Sequence, residues 1–284
     1  MLGLELPDVD VWSDRVVVAL GQNPGPFTGP GTNTYLIGTG SERLLLDPGQ
    51  GVPGYLPVLE QALERASCRI QAIVLTHGHP DHIGGVPSVL ARYGPLEVSK
   101  RPWPGVDERH DIRLSPIDDG SVVRTEGATL RAVHTPGHAP DHLCFVLEEE
   151  SALFSGDNVL GVGTTVIPSE TGDLREYLDS LERLLEESPG RIYPAHGPVI
   201  SDGCAKLREY LAHRRERDQQ ILTALRTEGV ESIPAIVAIV YAAYPKQLHA
   251  AAGQSVASHL LKLEREGRVQ RDGATPLEAR WKLA

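Results

Sequence analysis

The stretch Thr76-His77-Gly78-His79-Pro80-Asp81-His82-Ile83-Gly84-Gly85 places three histidines and a carboxylate within six residues, directly after the apolar run at 72–75. Titratable side chains at that density cannot enter an apolar core without partners. Neutral imidazoles and a carboxylate are instead the donors that suit Zn²⁺, Fe²⁺ or Mn²⁺. In a tight turn at a strand end, His77 and His79 can converge on one ion while Asp81 and His82 turn towards another. Gly78 and the Gly84-Gly85 pair are expected to supply the backbone freedom such a loop needs. A solvated polar turn is the plain alternative, and four candidate ligands at this spacing outweigh it.

Around this stretch the first half of the chain is rich in strands. The runs at 15–20, 34–37, 43–46 and 72–75 are each bounded by Gly, Pro or Asp, as strands should be. Leu56, Leu59, Ala62 and Leu63 recur at helical spacing within residues 54–66. A second set of strands is expected at 122–124, 130–134, 143–147 and 152–154. A helix follows from Asp173, where Glu176 stands at capping-box distance ahead of Leu178, Leu181 and Leu184. Residues 191–194 close the unit as a last strand. Interspersed helices favour two β-rich layers flanked by helices over a doubly wound parallel sheet.

Past residue 204 the character changes. Helices are expected at 204–229, 234–244 and 250–266, followed by a hairpin at 268–270 and 279–283, which is the outline of a winged-helix module. Residues 1–204 carry 14 Lys and Arg against 29 Asp and Glu, net −15, whereas residues 205–284 carry 13 against 9, net +4. The second segment reads as an interaction module or as a packing appendage, compatible with a homodimer. Domains are therefore expected at 1–204 and 205–284. The overall net charge of −11 disfavours a generic nucleic-acid or anionic-membrane binder. No apolar run approaches the ~20 residues of a membrane span. Three scattered cysteines suggest neither a disulfide framework nor a thiolate zinc site. The amino terminus lacks a signal or transit pattern, so a cytoplasmic location is the expectation.

The histidine stretch resembles the H-x-H-x-D-H signature of the metallo-β-lactamase superfamily, and further motifs follow in that superfamily's order. Thr135-Pro136-Gly137-His138, Phe154-Ser155-Gly156-Asp157 and Tyr193-Pro194-Ala195-His196-Gly197 are similar to its later ligand motifs, and Leu46-Asp47-Pro48-Gly49 to its first. The resemblance implies a four-layer αββα sandwich of α+β class. It also implies that His77, His79 and His138 hold one metal, that Asp81, His82 and His196 hold a second, and that Asp157 bridges them. The cofactor is then two divalent ions, with zinc expected and iron or manganese also compatible with the donors. Asp47 would hold a ligand imidazole through its second N–H.

Gly31-Thr32-Asn33-Thr34-Tyr35, Gly137-His138 with Asp141-His142, Gly163-Thr164-Thr165-Val166 and Ala195-His196-Gly197-Pro198 narrow the resemblance. They are similar to the group named for beta-lactamase-like protein 2, which also carries a winged-helix-like domain. Gly78, where that group usually has Trp, and residues 168–172 depart from its pattern. The resemblance implies a hydrolase using a bridging hydroxide, acting first on phosphodiester bonds of single-stranded RNA, as animal members do. The alternative substrate is a small acyl compound, a thioester, lactone or β-lactam; fungal polyketide thioesterases use the same scaffold. A DNA-binding regulator using the carboxy-terminal module is the third reading. Asp81 is expected to orient the attacking hydroxide, and His142 either to supply a proton to the leaving group or to hold a neighbour by hydrogen bonding. The resemblance suggests that Asn33, Thr164 and Thr165 line the cleft. His134 reads as a core or edge residue, and His110, His213, His249 and His259 as ordinary.

Overall fold

The computed structural model describes residues 3–284. A seven-stranded sheet takes up the first part of the chain in sequence order. Its strands are β1 (Val9–Ser13), β2 (Val16–Leu20), β3 (Asn33–Ile37), β4 (Glu42–Leu46), β5 (Arg69–Val74), β6 (Val98–Lys100) and β7 (Ser115–Pro116). The first four pair antiparallel; β4 to β7 run parallel, the β4–β5 crossover passing through α1 (Tyr55–Ala66) and the β5–β6 crossover through α2 (Pro80–Ile83) and α3 (Val86–Tyr93). A second sheet has β8 (Val122–Thr125), β9 (Ala128–His134), β10 (Leu143–Leu147), β11 (Ala152–Gly156) and β12 (Arg191–Pro194). Here β8 to β11 are antiparallel, and β12 joins β11 in parallel after the crossover helix α4 (Leu174–Glu186).

Strand alternation builds the layers. On β2, Val16 and Val18 join the core between the sheets, while Val17 and Ala19 face α1. On β10, Leu143, Phe145 and Leu147 enter the same inter-sheet core, and Cys144 and Val146 face α4. Both faces of each sheet are thus covered, which is why these strands read as continuous apolar runs. The architecture is the expected helix–sheet–sheet–helix sandwich. Asp173 caps α4, accepting from the Arg175 and Glu176 backbone N–H groups at 2.8 and 3.2 Å.

The carboxy-terminal part comprises α5 (Gly203–Thr227), α6 (Ile233–Val240), α7 (His249–Arg265) and the hairpin of β13 (Val269–Asp272) and β14 (Arg280–Leu283). Helix α5 serves two cores. Leu207, Tyr210 and Leu211 pack with α4, whereas Ile221, Leu222 and Leu225 join Val256, Leu260 and the fully buried Trp281 in the winged-helix core. No helix among the described residues is long and apolar enough to cross a membrane.

The register of α5 against α7 is set by a buried polar cluster. Asp218 lies 2.6 Å from His259 Nδ1 and 2.7 Å from Lys262 Nζ. His259, expected to be an ordinary histidine, is buried, and that burial brings its pKa down to about 4 despite the Asp218 hydrogen bond. Asp218→Asn removes the charge while keeping the shape. It should cost about 2 kcal/mol, the worth of hydrogen bonds to a charged group, read as a lower urea midpoint at unchanged slope.

Candidate metal centre

The segments that carry the candidate ligands all follow the carboxyl ends of strands. His77 and His79 follow β5, and Asp81 and His82 sit on the short helix α2. His138 follows β9, Asp157 follows β11 and His196 follows β12. Two groups result: His77, His79, His138 and Asp157, and Asp81, His82, Asp157 and His196, with the donor atoms of each group within 4.8 Å of one another.

In the first group, His79 Nδ1 lies 3.0 Å from both His77 Nε2 and His138 Nε2, and His138 Nε2 lies 3.4 Å from Asp157 Oδ2. In the second, His196 Nε2 lies 3.1 Å from Asp157 Oδ1 and 3.3 Å from Asp81 Oδ2, and His82 Nε2 lies 3.4 Å from Asp157 Oδ1. His82 Nε2 and Asp157 Oδ1 are buried and have no hydrogen-bond partner. Buried polar atoms without partners are costly, and converging imidazole and carboxylate donors are the set a divalent cation satisfies. The residues therefore fit two ions sharing Asp157.

Three of the imidazoles are oriented by an atom behind them. His82 Nδ1 is 2.8 Å from Asp47 Oδ2, and the same carboxylate accepts from the Thr76 N–H and hydroxyl at 2.8 and 2.7 Å. Asp47 thus holds the His82 imidazole, from a left-handed backbone conformation at φ 51°. His77 Nδ1 faces the Thr76 hydroxyl at 3.0 Å, and His138 Nδ1 faces the Val166 carbonyl oxygen at 2.9 Å. Such contacts fix which nitrogen would face a bound metal.

Charge divides the two groups. Burial, reinforced by neighbouring imidazoles, drives His77 well below the usual histidine range and His79 down to about 4. For His82 and His196 burial also opposes the charge, but nearby carboxylates prevail: Asp81 and Asp157 raise His82, and Asp157 takes His196 to about 9. His77 and His79 therefore offer free lone pairs at neutral pH, whereas a cation at the second group would have to displace protons from His82 and His196.

Several expectations are corrected. Gly84 and Gly85 have ordinary helical φ values of −60° and −79°. They are needed for close approach, since a Cβ would meet the Gln50 and Pro48 carbonyl oxygens at 2.7 and 2.0 Å. His142 does not reach the cleft. It is fully buried, and its Nε2 accepts from the Asp157 backbone N–H at 3.1 Å while Nδ1 faces the Thr135 hydroxyl at 3.0 Å. Burial first, then His138, hold it neutral. A neutral imidazole with both nitrogens engaged delivers no proton to a leaving group; His142 positions Asp157. Asn33 is likewise buried, its amide donating to the Pro194 and Gly197 carbonyls at 2.8 Å each, so it braces the His196 loop. Thr164 and Thr165 do line the cleft.

That cleft is a cavity of about 500 Å³ with the candidate ligands His79, Asp81, His138, Asp157 and His196 on one wall. Phe27 and Leu160 from the sandwich and Tyr241, Tyr244 and Leu248 from the carboxy-terminal part make up much of the rest. None of the described residues lining it is Lys or Arg. Sequence reasoning missed these aromatic residues because no motif contains them. It also missed Lys100, whose fully buried ammonium lies 2.7 Å from both Asp141 and Asp107 beneath the His77–His79 turn. Gly78 borders this cluster: a Cβ there would stand 3.2 Å from Lys100 Cε and 3.4 Å from Trp103.

Residues 27–196 match the family model described as the metallo-beta-lactamase superfamily. The chain belongs to the metallo-beta-lactamase superfamily. It is a hydrolase of that type, and residues 232–281 match the beta-lactamase associated winged helix domain. The lactamase-like protein aptB of Emericella nidulans is 41% identical over 97% of this chain and 89% of its own length. The atrochrysone carboxyl ACP thioesterase of Claviceps purpurea is 45% identical over 78% of this chain and 68% of its own. Among solved structures, a beta-lactamase domain protein from Burkholderia ambifaria superposes with a TM-score of 0.82 at 22% identity. That superposition covers 99% of this chain and 96% of the other, which speaks to the fold.

Proposed function

We propose that this chain hydrolyses acyl thioesters whose acyl group is apolar and aromatic or otherwise bulky. The observation that carries this reading is the cleft lining. Aromatic and aliphatic side chains enclose the space beside the ligands, and no Lys or Arg among the described lining residues waits for a phosphate. A polyanion is bound chiefly through such cations. The kinship with a relative named as an acyl carrier protein thioesterase supports the same substrate class. Single-stranded RNA, placed first on sequence grounds, therefore gives way to the acyl alternative. The DNA-binding reading loses its recognition surface, because Lys262 is paired with Asp218 and Glu266, and Arg265 with Asp173.

Two divalent cations, when bound, supply Lewis-acid activation of water near neutral pH and stabilise charge developing on oxygen. The chain's residues do the rest. Asp81, at the cleft wall, accepts a hydrogen bond from the attacking water and directs its oxygen at the thioester carbonyl carbon. A carbon–oxygen bond forms, the carbon–sulfur bond breaks, and the products are a carboxylic acid and a thiol. Phe27, Tyr241 and Tyr244 hold the acyl group and keep bulk water from its far end.

Because Tyr244 contacts substrate away from the reacting carbon, Tyr244→Ala should raise KM for an aromatic acyl thioester about tenfold. That is the worth of one partly buried ring, and kcat should stay within about twofold. The reading itself is tested by comparing kcat/KM for aromatic acyl, acetyl and single-stranded RNA substrates on metal-loaded protein. Preference for the aromatic thioester is expected; ligand-dependent RNA cleavage exceeding thioester hydrolysis would reverse it.

A further inference from the structure

We propose that the carboxy-terminal module sets the metal affinity of one half of the centre, by holding the loop against which the ligand His138 rests. This rests on the two-ion reading of the site. The segment at 157–173, between β11 and α4, contains no helix or strand, and a loop of that length needs external support to keep one conformation. His138 depends on it, because its Nδ1 is 2.9 Å from the Val166 carbonyl oxygen.

The carbonyls on either side of Val166 are both taken by the carboxy-terminal helices. The Thr165 oxygen accepts from Arg214 Nη2 on α5 at 2.5 Å, and the Ile167 oxygen accepts from Ser258 Oγ on α7 at 2.6 Å. Two more ties flank them. The Tyr210 hydroxyl on α5 donates to the Gly163 oxygen at 2.8 Å, and the Ser169 hydroxyl donates to Gln254 Oε1 on α7 at 2.8 Å. Arg214 and Ser258 are buried, so water cannot take their place.

The anchoring atoms are themselves held in register. One turn beyond Arg214, Asp218 grips His259, the residue after Ser258, together with Lys262. Helices α5 and α7 therefore present Arg214 and Ser258 to the loop as one unit, and the loop presents the Val166 carbonyl to His138. The second ion's imidazoles lean elsewhere: His82 on Asp47, and His196 towards the Gly31 carbonyl. The strap acts on one ion only. Arg214 and Ser258 are positioning residues.

The test uses the full chain and zinc alone, with affinities read by competition against a chromophoric chelator. Wild type should bind two zinc ions. In Ser258→Ala and in Arg214→Met one affinity should fall about 10- to 100-fold, the usual cost of losing an outer partner of a ligand. The other should stay within about twofold, and Ser258→Thr, which keeps the hydroxyl, should restore the lost affinity. In a His138→Ala background the same two substitutions should have no further effect on zinc affinity. Far-UV circular dichroism of each variant shows whether it folds, and Ser258→Ala decides the matter if Arg214→Met does not. Equal weakening of both ions, no weakening, or further loss in the His138→Ala background would overturn the strap. Fewer than two ions in wild type would overturn the two-ion reading instead, and the strap with it.

Discussion

Asp157→Ala should lower kcat/KM for thioester hydrolysis by at least about a thousandfold, roughly 4 kcal/mol of transition-state stabilisation. It should also reduce bound metal. The size of the effect follows from position. Asp157 is the one residue common to both donor groups, and its two oxygens face different imidazoles, Oδ2 towards His138 and Oδ1 towards His82 and His196. Removing it leaves each ion with three donors from the chain and opens a polar void between them. Asp157→Asn keeps the shape but only one of the residue's two donor oxygens, so it should fall between wild type and alanine. Steady-state rates and metal analysis on the same preparations check both. Full activity in Asp157→Ala would mean that hydrolysis takes place elsewhere.

Lys100→Met should destabilise the fold by about 3–5 kcal/mol, the cost of leaving buried charge without its partner. For a domain of this size that corresponds to a fall in Tm on the order of 10 °C. The ammonium lies 2.7 Å from both Asp107 and Asp141 and also donates to the Arg101 carbonyl at 2.8 Å. Burial already raises the Asp141 pKa even with Lys100 beside it. Without the lysine, Asp141 must either take up a proton or remain a buried, unpaired anion. Lys100→Met combined with Asp141→Asn should recover about half of the lost stability, since the charge and its partner leave together. Calorimetry on both variants tests this, and an unchanged Tm in Lys100→Met would show that the pair contributes little. The cluster underlies the His77–His79 turn, so its loss should also weaken metal binding.

Much of this site was legible because its chemistry is concentrated. His77, His79, Asp81 and His82 occupy a single turn, and His138, Asp157 and His196 each stand just past a strand in a short recognisable string. The layers were legible from alternation, as Val16, Val17 and Val18 show by facing opposite cores. What escaped is whatever depends on contacts between distant segments. Lys100 ends a three-residue strand with no motif around it, and its partners lie 7 and 41 residues away in the chain. Tyr241 and Tyr244 end the helix expected at 234–244 with no motif around them, yet they line the cleft. The proton-donor alternative for His142 and the cleft-lining expectation for Asn33 missed in the opposite sense, whereas hydrogen bonding to a neighbour, the other expectation for His142, is the contact it makes. Both lie beside cleft motifs in sequence, but their side chains turn inward to brace Asp157 and the His196 loop. Spacing says which residues are neighbours along the chain, and burial decides which way they point.

The most direct measurement is thiol release from an aromatic acyl thioester while zinc is titrated into metal-depleted protein. Activity should rise with bound zinc and level off at about two ions per chain, and the same titration of Asp157→Ala should stay flat. Hydrolysis that is complete without zinc, or no thiol release with two ions bound, would contradict a binuclear thioesterase.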